Sequence, residues 1–182
     1  MTVHKLIAAP VALQPGGYIK VAYEGRDKAP TTPSASMDLT RSGEGYSIAL
    51  QWQCPSPVKT TGSNTDIWVD ACAVLAPAAA GANWITMGSE ALPVEGALWR
   101  ADREELHAIL AEGLGSVHRQ PAPEGWKATS SWDNGVWSVT FELDTWSALT
   151  AHKQIALAVW RGDVQDRGGL KSVSEGWIST AL

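Results

Sequence analysis

The nine residues Ile67-Trp68-Val69-Asp70-Ala71-Cys72-Ala73-Val74-Leu75 decide how the chain folds. Both alternating sets are apolar except for Asp70, the pattern of a central strand covered on its two faces. Tyr46–Cys54 (YSIALQWQC) differs. Ile48, Leu50, Trp52 and Cys54 point one way, Ser47, Gln51 and Gln53 lie opposite, and Pro55 and Pro57 end the run. That is a strand with one buried face. Asp133-Asn134-Gly135 between Trp132 and Trp137 predicts a tight hairpin, because Asn-Gly accepts the positive φ values of a type I′ turn. The strand after it sets Trp137, Val139, Phe141 and Leu143 on one face. Gln154–Trp160 (QIALAVW) alternates Ile155, Leu157 and Val159 against Ala156, Ala158 and Trp160, and Tyr18–Tyr23 (YIKVAY) alternates as well. One helix is expected where Asp102 and Glu105 form a capping box, Leu106, Ile109 and Leu110 form a stripe, and Gly113 supplies the stop. Several strands, one or two short peripheral helices and no βαβ rhythm give an all-β-dominated fold, an antiparallel β-sandwich.

Composition narrows the function. The 182 residues suit one domain, and 45% hydrophobic with 18% charged residues permits a real core. Lys plus Arg number 14 against 19 Asp plus Glu, a net charge of −5, which argues against a nucleic-acid partner. Two cysteines cannot build a four-thiolate zinc site, and no Cys-x-x-Cys-His is present for covalent haem attachment. The longest apolar run, Ala71 to Ala82, is broken by Pro77 and is too short to span a bilayer. The N-terminus, with Leu6 to Leu13 interrupted by Pro10, is no clear signal peptide. The oddity is 10 Trp beside 1 Phe and 3 Tyr. Tryptophan in that excess either fills a sandwich core or lines a ligand site.

Catalytic motifs are missing. There is no Gly-x-Ser-x-Gly, no phosphate-cradling glycine loop and no His-Glu-x-x-His. His4, His107, His118 and His152 are not spaced as ligands of a common metal. Asp70, alone in an apolar strand, requires either hydrogen-bond partners or a ligand to hold. Cys54 and Cys72, on strands expected to be neighbours, fit either a disulfide or two buried thiols.

Three segments in order carry more information. They are Asp70-Ala71-Cys72-Ala73-Val74 followed by Met87-Gly88, then Gly135-Val136-Trp137-Ser138-Val139-Thr140-Phe141, then Ala158-Val159-Trp160 followed by Gly169-Leu170-Lys171-Ser172-Val173-Ser174 and Trp177. Together they resemble the haem-b-binding γ subunits of type II DMSO-reductase-like molybdoenzymes, the group of ethylbenzene and dimethylsulfide dehydrogenases and selenate and chlorate reductases. The likeness runs from about Ile19 to Ile178.

That resemblance implies a single haem-binding β-sandwich domain over residues 1–182. It implies one non-covalent haem b whose iron is held axially by Met87 and Lys171, with Arg167 a candidate donor to the propionates. Met1, Met37, Lys127 and Lys153 are rival residue types outside comparable motifs. It also implies a non-catalytic electron-transfer role in the periplasm. The partners would be an iron–sulfur β subunit and a molybdenum-containing α subunit, which carry those cofactors themselves, and a soluble carrier such as cytochrome c. The chemistry is coherent. A thioether is a soft neutral ligand, a lysine ligates only as its free amine, and two axial side chains leave no open position for a substrate. A reading of a different class is a carbohydrate-binding sandwich that stacks sugars on exposed Trp faces.

Overall fold

The computed structural model describes residues 1–13, 23–26 and 28–180. Its strands are β1 (Thr2–Ala8), β2 (Ser34–Ser42), β3 (Gly45–Gln53), β4 (Ala71–Pro77), β5 (Val94–Arg100) and β6 (His107–Ala111). They continue as β7 (His118–Pro121), β8 (Trp126–Asp133), β9 (Val136–Leu143), β10 (Gln154–Trp160), β11 (Ser172–Ser174) and β12 (Ile178–Ser179). The α-helix α1 (Ser147–His152) precedes β10. The strands pair in the order β7-β6-β5-β4-β10-β11-β1-β2-β3-β9-β8, with β12 added to β10. The pairings are antiparallel, as expected.

One strand turns this sheet into two layers. Residues 2–5 of β1 pair with β2, whereas residues 6–8 pair with β11. The sheet curls over at that point and packs its halves face to face. Between them lies the main core: Ile48, Leu50, Trp137, Val139 and Phe141 from one half against Val74, Trp99, Leu157 and Val159 from the other.

The alternations of β3, β9 and β10 are as their sequences predict. Asn134 and Gly135 take φ of 47° and 84° between paired Asp133 and Val136, the two-residue turn that Asn-Gly favours. β4 is buried along its whole length. It starts at Ala71 rather than Ile67, because the residues before it form the corner that places Asp70. The expected strand Tyr18–Tyr23 lies outside the described residues except for Tyr23.

The helix expected after Asp102 is not there. His107–Ala111 is the strand β6, paired along β5, and the α-helix named among the described residues is α1. Leu106, Ile109 and Leu110 satisfy a helical spacing, but the free edge of β5 offers a ladder of backbone hydrogen bonds that decides the outcome. Asp102 does not cap a helix; it accepts from Nε and a terminal nitrogen of Arg100 at 2.9 and 2.8 Å. His107, expected on that helix, is half-buried on β6. Cys54 and Cys72 are separate buried thiols. Their strands are not neighbours, since β3 and β4 belong to different halves of the sheet.

Asp70 joins the halves. It is fully buried. Its Oδ2 accepts from the backbone N–H of Val58 at 2.8 Å and from the Trp137 indole N–H at 2.9 Å, and its Oδ1 accepts from the N–H of Gly162 at 2.8 Å. The Cys54 thiol also donates to it at 3.5 Å, and burial with this carboxylate pushes that thiol up to about 12. Of the two roles left open for Asp70, the structure gives the hydrogen-bonding one.

Asp70→Ala strands two buried N–H donors and one part-buried one and should destabilise the fold by about 3 kcal/mol. Urea denaturation checks this; a loss within about 0.5 kcal/mol would contradict the role given to Asp70.

Candidate cofactor site

The second core lies on the outer face of the half-sheet that contains β4. Strand alternation puts Cys72, Val74 and Ala76 into the main core and Ala71, Ala73 and Leu75 onto this outer face. Cross-strand pairing extends that face into rows. Val173, Ala158, Ala73 and Leu98 form one row; Ala156, Leu75, Gly96, Ile109 and Arg119 form the next. Alanine and glycine in the middle of each row leave a shallow floor.

Two loops rise over that floor. The β4–β5 loop brings Met87 and the β10–β11 loop brings Lys171, and both side chains line one cavity of about 210 Å³. Ala73, Leu75, Leu98 and Ile109 form its base, and Trp160 and Arg119 line it further. A smaller hollow of about 120 Å³ shares Leu98, Arg119, Trp160 and Gly168 with it and is lined also by Arg100 and Arg167. The two are parts of one groove.

The Met loop is held under backbone strain. Met87 has φ of 57°, a left-handed conformation uncommon for a side-chain-bearing residue and worth about 1 kcal/mol or more of strain. The surroundings fix it. Met87 N–H donates to Trp84 O at 3.1 Å, Gly88 N–H to Asn83 O at 2.8 Å, and Gly113 N–H to Met87 O at 3.0 Å. Gly88 follows with φ of 76°, and a Cβ there would lie 2.6 Å from the carbonyl oxygen of Leu92. The Met-Gly pair is therefore a steric unit: only glycine fits behind this methionine.

The Lys loop is tied down by Asp166, which is buried. It accepts from Thr31 Oγ1 at 2.5 Å and from the Arg161 N–H at 3.1 Å, and it pairs with Arg26. The Lys171 carbonyl accepts from the Ala9 N–H at 2.9 Å. Lys171 is half-exposed as a residue, but its amine sits among protein atoms, 5.0 Å from the centre of the Trp160 ring. Burial, with a smaller contribution from the Arg119 charge, pulls that amine from 10.5 down to about 8.

Tryptophan edges join the loops to the sheet. Trp160 Nε1 donates to Gly168 O at 3.0 Å in the Lys loop, and Trp177 Nε1 donates to Ala82 O at 2.9 Å in the Met loop. Both readings of the Trp excess therefore hold in part. Trp52, Trp99, Trp137 and Trp146 are core residues, whereas Trp160 lines the groove. The sugar-stacking alternative expects an exposed Trp pair. Trp68, at 39%, is the single strongly exposed indole, and the Arg167 guanidinium lies 5.4 Å from its ring centre. A wider, open cavity of about 650 Å³ on the opposite side of β5 and β6 is lined by Trp126, Trp146, Arg41 and Glu95 and contains neither Met87 nor Lys171.

The donor set fits a planar iron cofactor. The groove offers a thioether, an amine drawn toward its neutral form, a flat apolar floor, and guanidinium groups at the mouth for carboxylates. Arg167, expected near the propionates, does line the groove, but its Nη1 donates to Gln165 O at 2.9 Å and its charge rests on Trp68. Arg119 has no signal in the sequence; only the pairing of Ile109 with Arg119 brings it to the groove.

The Lys171 amine supplies a pH test on the protein without added cofactor. Between about pH 8 and 10.5 the folded state binds fewer protons than the unfolded chain, so stability rises with pH through that window. The rise should approach about 1.4 kcal/mol per pH unit, and Lys171→Met should abolish it. Urea midpoints at about pH 7.5 and about pH 9.5 compare the two proteins; identical pH slopes would refute the burial of this amine.

No family model matches the chain. Among solved structures, the chain is similar to a "putative carbohydrate-binding protein" from Bacteroides uniformis, with a TM-score of 0.46 and 12% identity over 98% of this chain and 80% of that one. A likeness at that level carries no argument. Among curated proteins, it is 32% identical over 146 residues to the "Putative respiratory nitrate reductase heme subunit ORF7" of Haloferax mediterranei, a match over 74% of this chain. The chain spans about half of that relative, 51% of its length. This homology to a protein described as a respiratory nitrate reductase heme subunit agrees with the group that the three motifs resemble, the haem γ subunits of the type II DMSO-reductase kind.

Proposed function

We propose that the chain is an electron-transfer subunit of a respiratory reductase-type complex, binding one non-covalent haem b in the groove. The observation that carries this reading is the convergence of Met87 and Lys171 on one cavity over an alanine floor. The relative's description as a haem subunit supports it. Met87 and Lys171 are the proposed axial ligands. Bound haem supplies a one-electron iron couple.

The chain's own residues explain why this site suits electron transfer rather than catalysis. Met87 offers a neutral sulfur, which favours the reduced metal and raises its potential. Its backbone hydrogen bonds fix the point from which that side chain enters the cavity. Lys171 offers a nitrogen only when deprotonated, and its burial lowers the cost of losing the proton. Two side chains bound to the iron would leave no position for oxygen or a substrate. Ala73, Leu75 and Ile109 exclude water from one face.

The wider assignment follows the resemblance. The proposed partners are an iron–sulfur subunit and a molybdenum-containing subunit on one side and a soluble carrier such as cytochrome c on the other. The proposed compartment is the periplasm, as in exported members of that group. No helix among the described residues is long and apolar enough to cross a membrane.

The test is optical. The purified protein titrated with haemin should take up about one equivalent and give a six-coordinate low-spin b-type spectrum, oxidised and dithionite-reduced. Met87→Ala and Lys171→Ala should each lose that low-spin signature and weaken haem retention. No uptake, or wild-type spectra in both variants, overturns the assignment.

A further inference from the structure

The guanidinium groups around the groove are not equivalent. Arg100 is engaged by both oxygens of Asp102. Arg161, at the start of the Lys loop, is paired with Asp163. Arg167 donates to a backbone carbonyl and lies over Trp68. Arg119 has no acidic partner among the described residues. Arg119 is exposed as a residue, and partial desolvation of its guanidinium, followed by the charges of Arg100 and Arg103, disfavours its own charge. A guanidinium flanked by other guanidinium groups and without a carboxylate partner favours an anionic ligand.

Its position says which part of a ligand that would be. Arg119 stands on β7 directly across from Ile109, and directly paired residues project to the same face. It ends the row Ala156-Leu75-Gly96-Ile109, and it lines both hollows of the groove. A ligand lying on the apolar floor with an anionic tail at the β7 edge would meet this guanidinium. A guanidinium takes a carboxylate through two parallel N–H···O bonds, which fixes orientation as well as charge.

We propose that Arg119 binds a propionate carboxylate of the haem and so sets which way round the macrocycle lies in the groove. The inference rests on the haem reading above and adds a residue that none of the three motifs contains.

The experiment compares haemin with haemin dimethyl ester, whose propionates carry no charge. Each is titrated optically into the wild-type chain, Arg119→Gln, Arg119→Lys and the control Arg167→Gln. The wild type should bind haemin about tenfold or more tightly than the ester. Arg119→Gln should lose that preference by weakening haemin binding alone, with ester affinity and thermal midpoint unchanged. Arg119→Lys should restore part of the preference, and Arg167→Gln should keep it. An undiminished preference in Arg119→Gln, or no preference in the wild type, overturns the inference while leaving haem binding intact. Failure of both compounds to bind the wild type overturns the haem reading, and this inference with it.

Discussion

The carboxylate of Asp70 is the interaction on which the structure depends. A buried carboxylate is tolerated only where donors surround it, and here the donors come from parts of the chain far apart in sequence. Trp137 belongs to the opposite layer of the sandwich, Val58 to the connection leading into β4, and Gly162 to the start of the Lys loop. One side chain thus ties the two layers together at the edge of the packed core and marks the point at which the loop leaves the sheet. Gly162 shows how close the approach is, since a Cβ there would lie 1.9 Å from the carbonyl oxygen of Trp68.

The three motifs are physically one device. Asp70 of the first motif meets Trp137 of the second. Trp160 and Trp177 of the third hold the loops that carry Lys171 and Met87. In each case an indole N–H donates one directional bond while its ring fills space. Six of the tryptophans use their N–H in this way. The unusual composition is therefore a means of fastening, and phenylalanine could not replace it.

How much of this was legible in the sequence varied with the physics involved. Strict alternation reports one buried face, so β3 and β9 could be read directly, as could the Asn134-Gly135 turn, and β10 showed as a run apolar on both faces. Asp70 stood out because an isolated acid in an apolar strand needs donors, but the donors themselves lie far away in sequence. Residues 102–113 misled because a five-residue strand contains too few positions to separate a period of two from one of 3.6, and the edge of β5 is not visible locally. Arg119 was invisible for a related reason. All four residues of β7, Arg119 among them, are exposed, and its place at the groove is a property of strand register alone.

The split pairing of β1 has a consequence for how the molecule is assembled. Leu6 pairs with Ser174, and the Ala9 N–H holds the Lys171 carbonyl. These contacts join segments at opposite extremes of the described chain, and such high-contact-order pairings form slowly because the loop-closure entropy must be met before they contribute. A nascent chain can form the β8–β9 hairpin early, but it cannot seat Lys171 until β1 has docked. The groove that carries Met87 and Lys171 is therefore completed among the last steps of folding, and a partly folded chain would lack it.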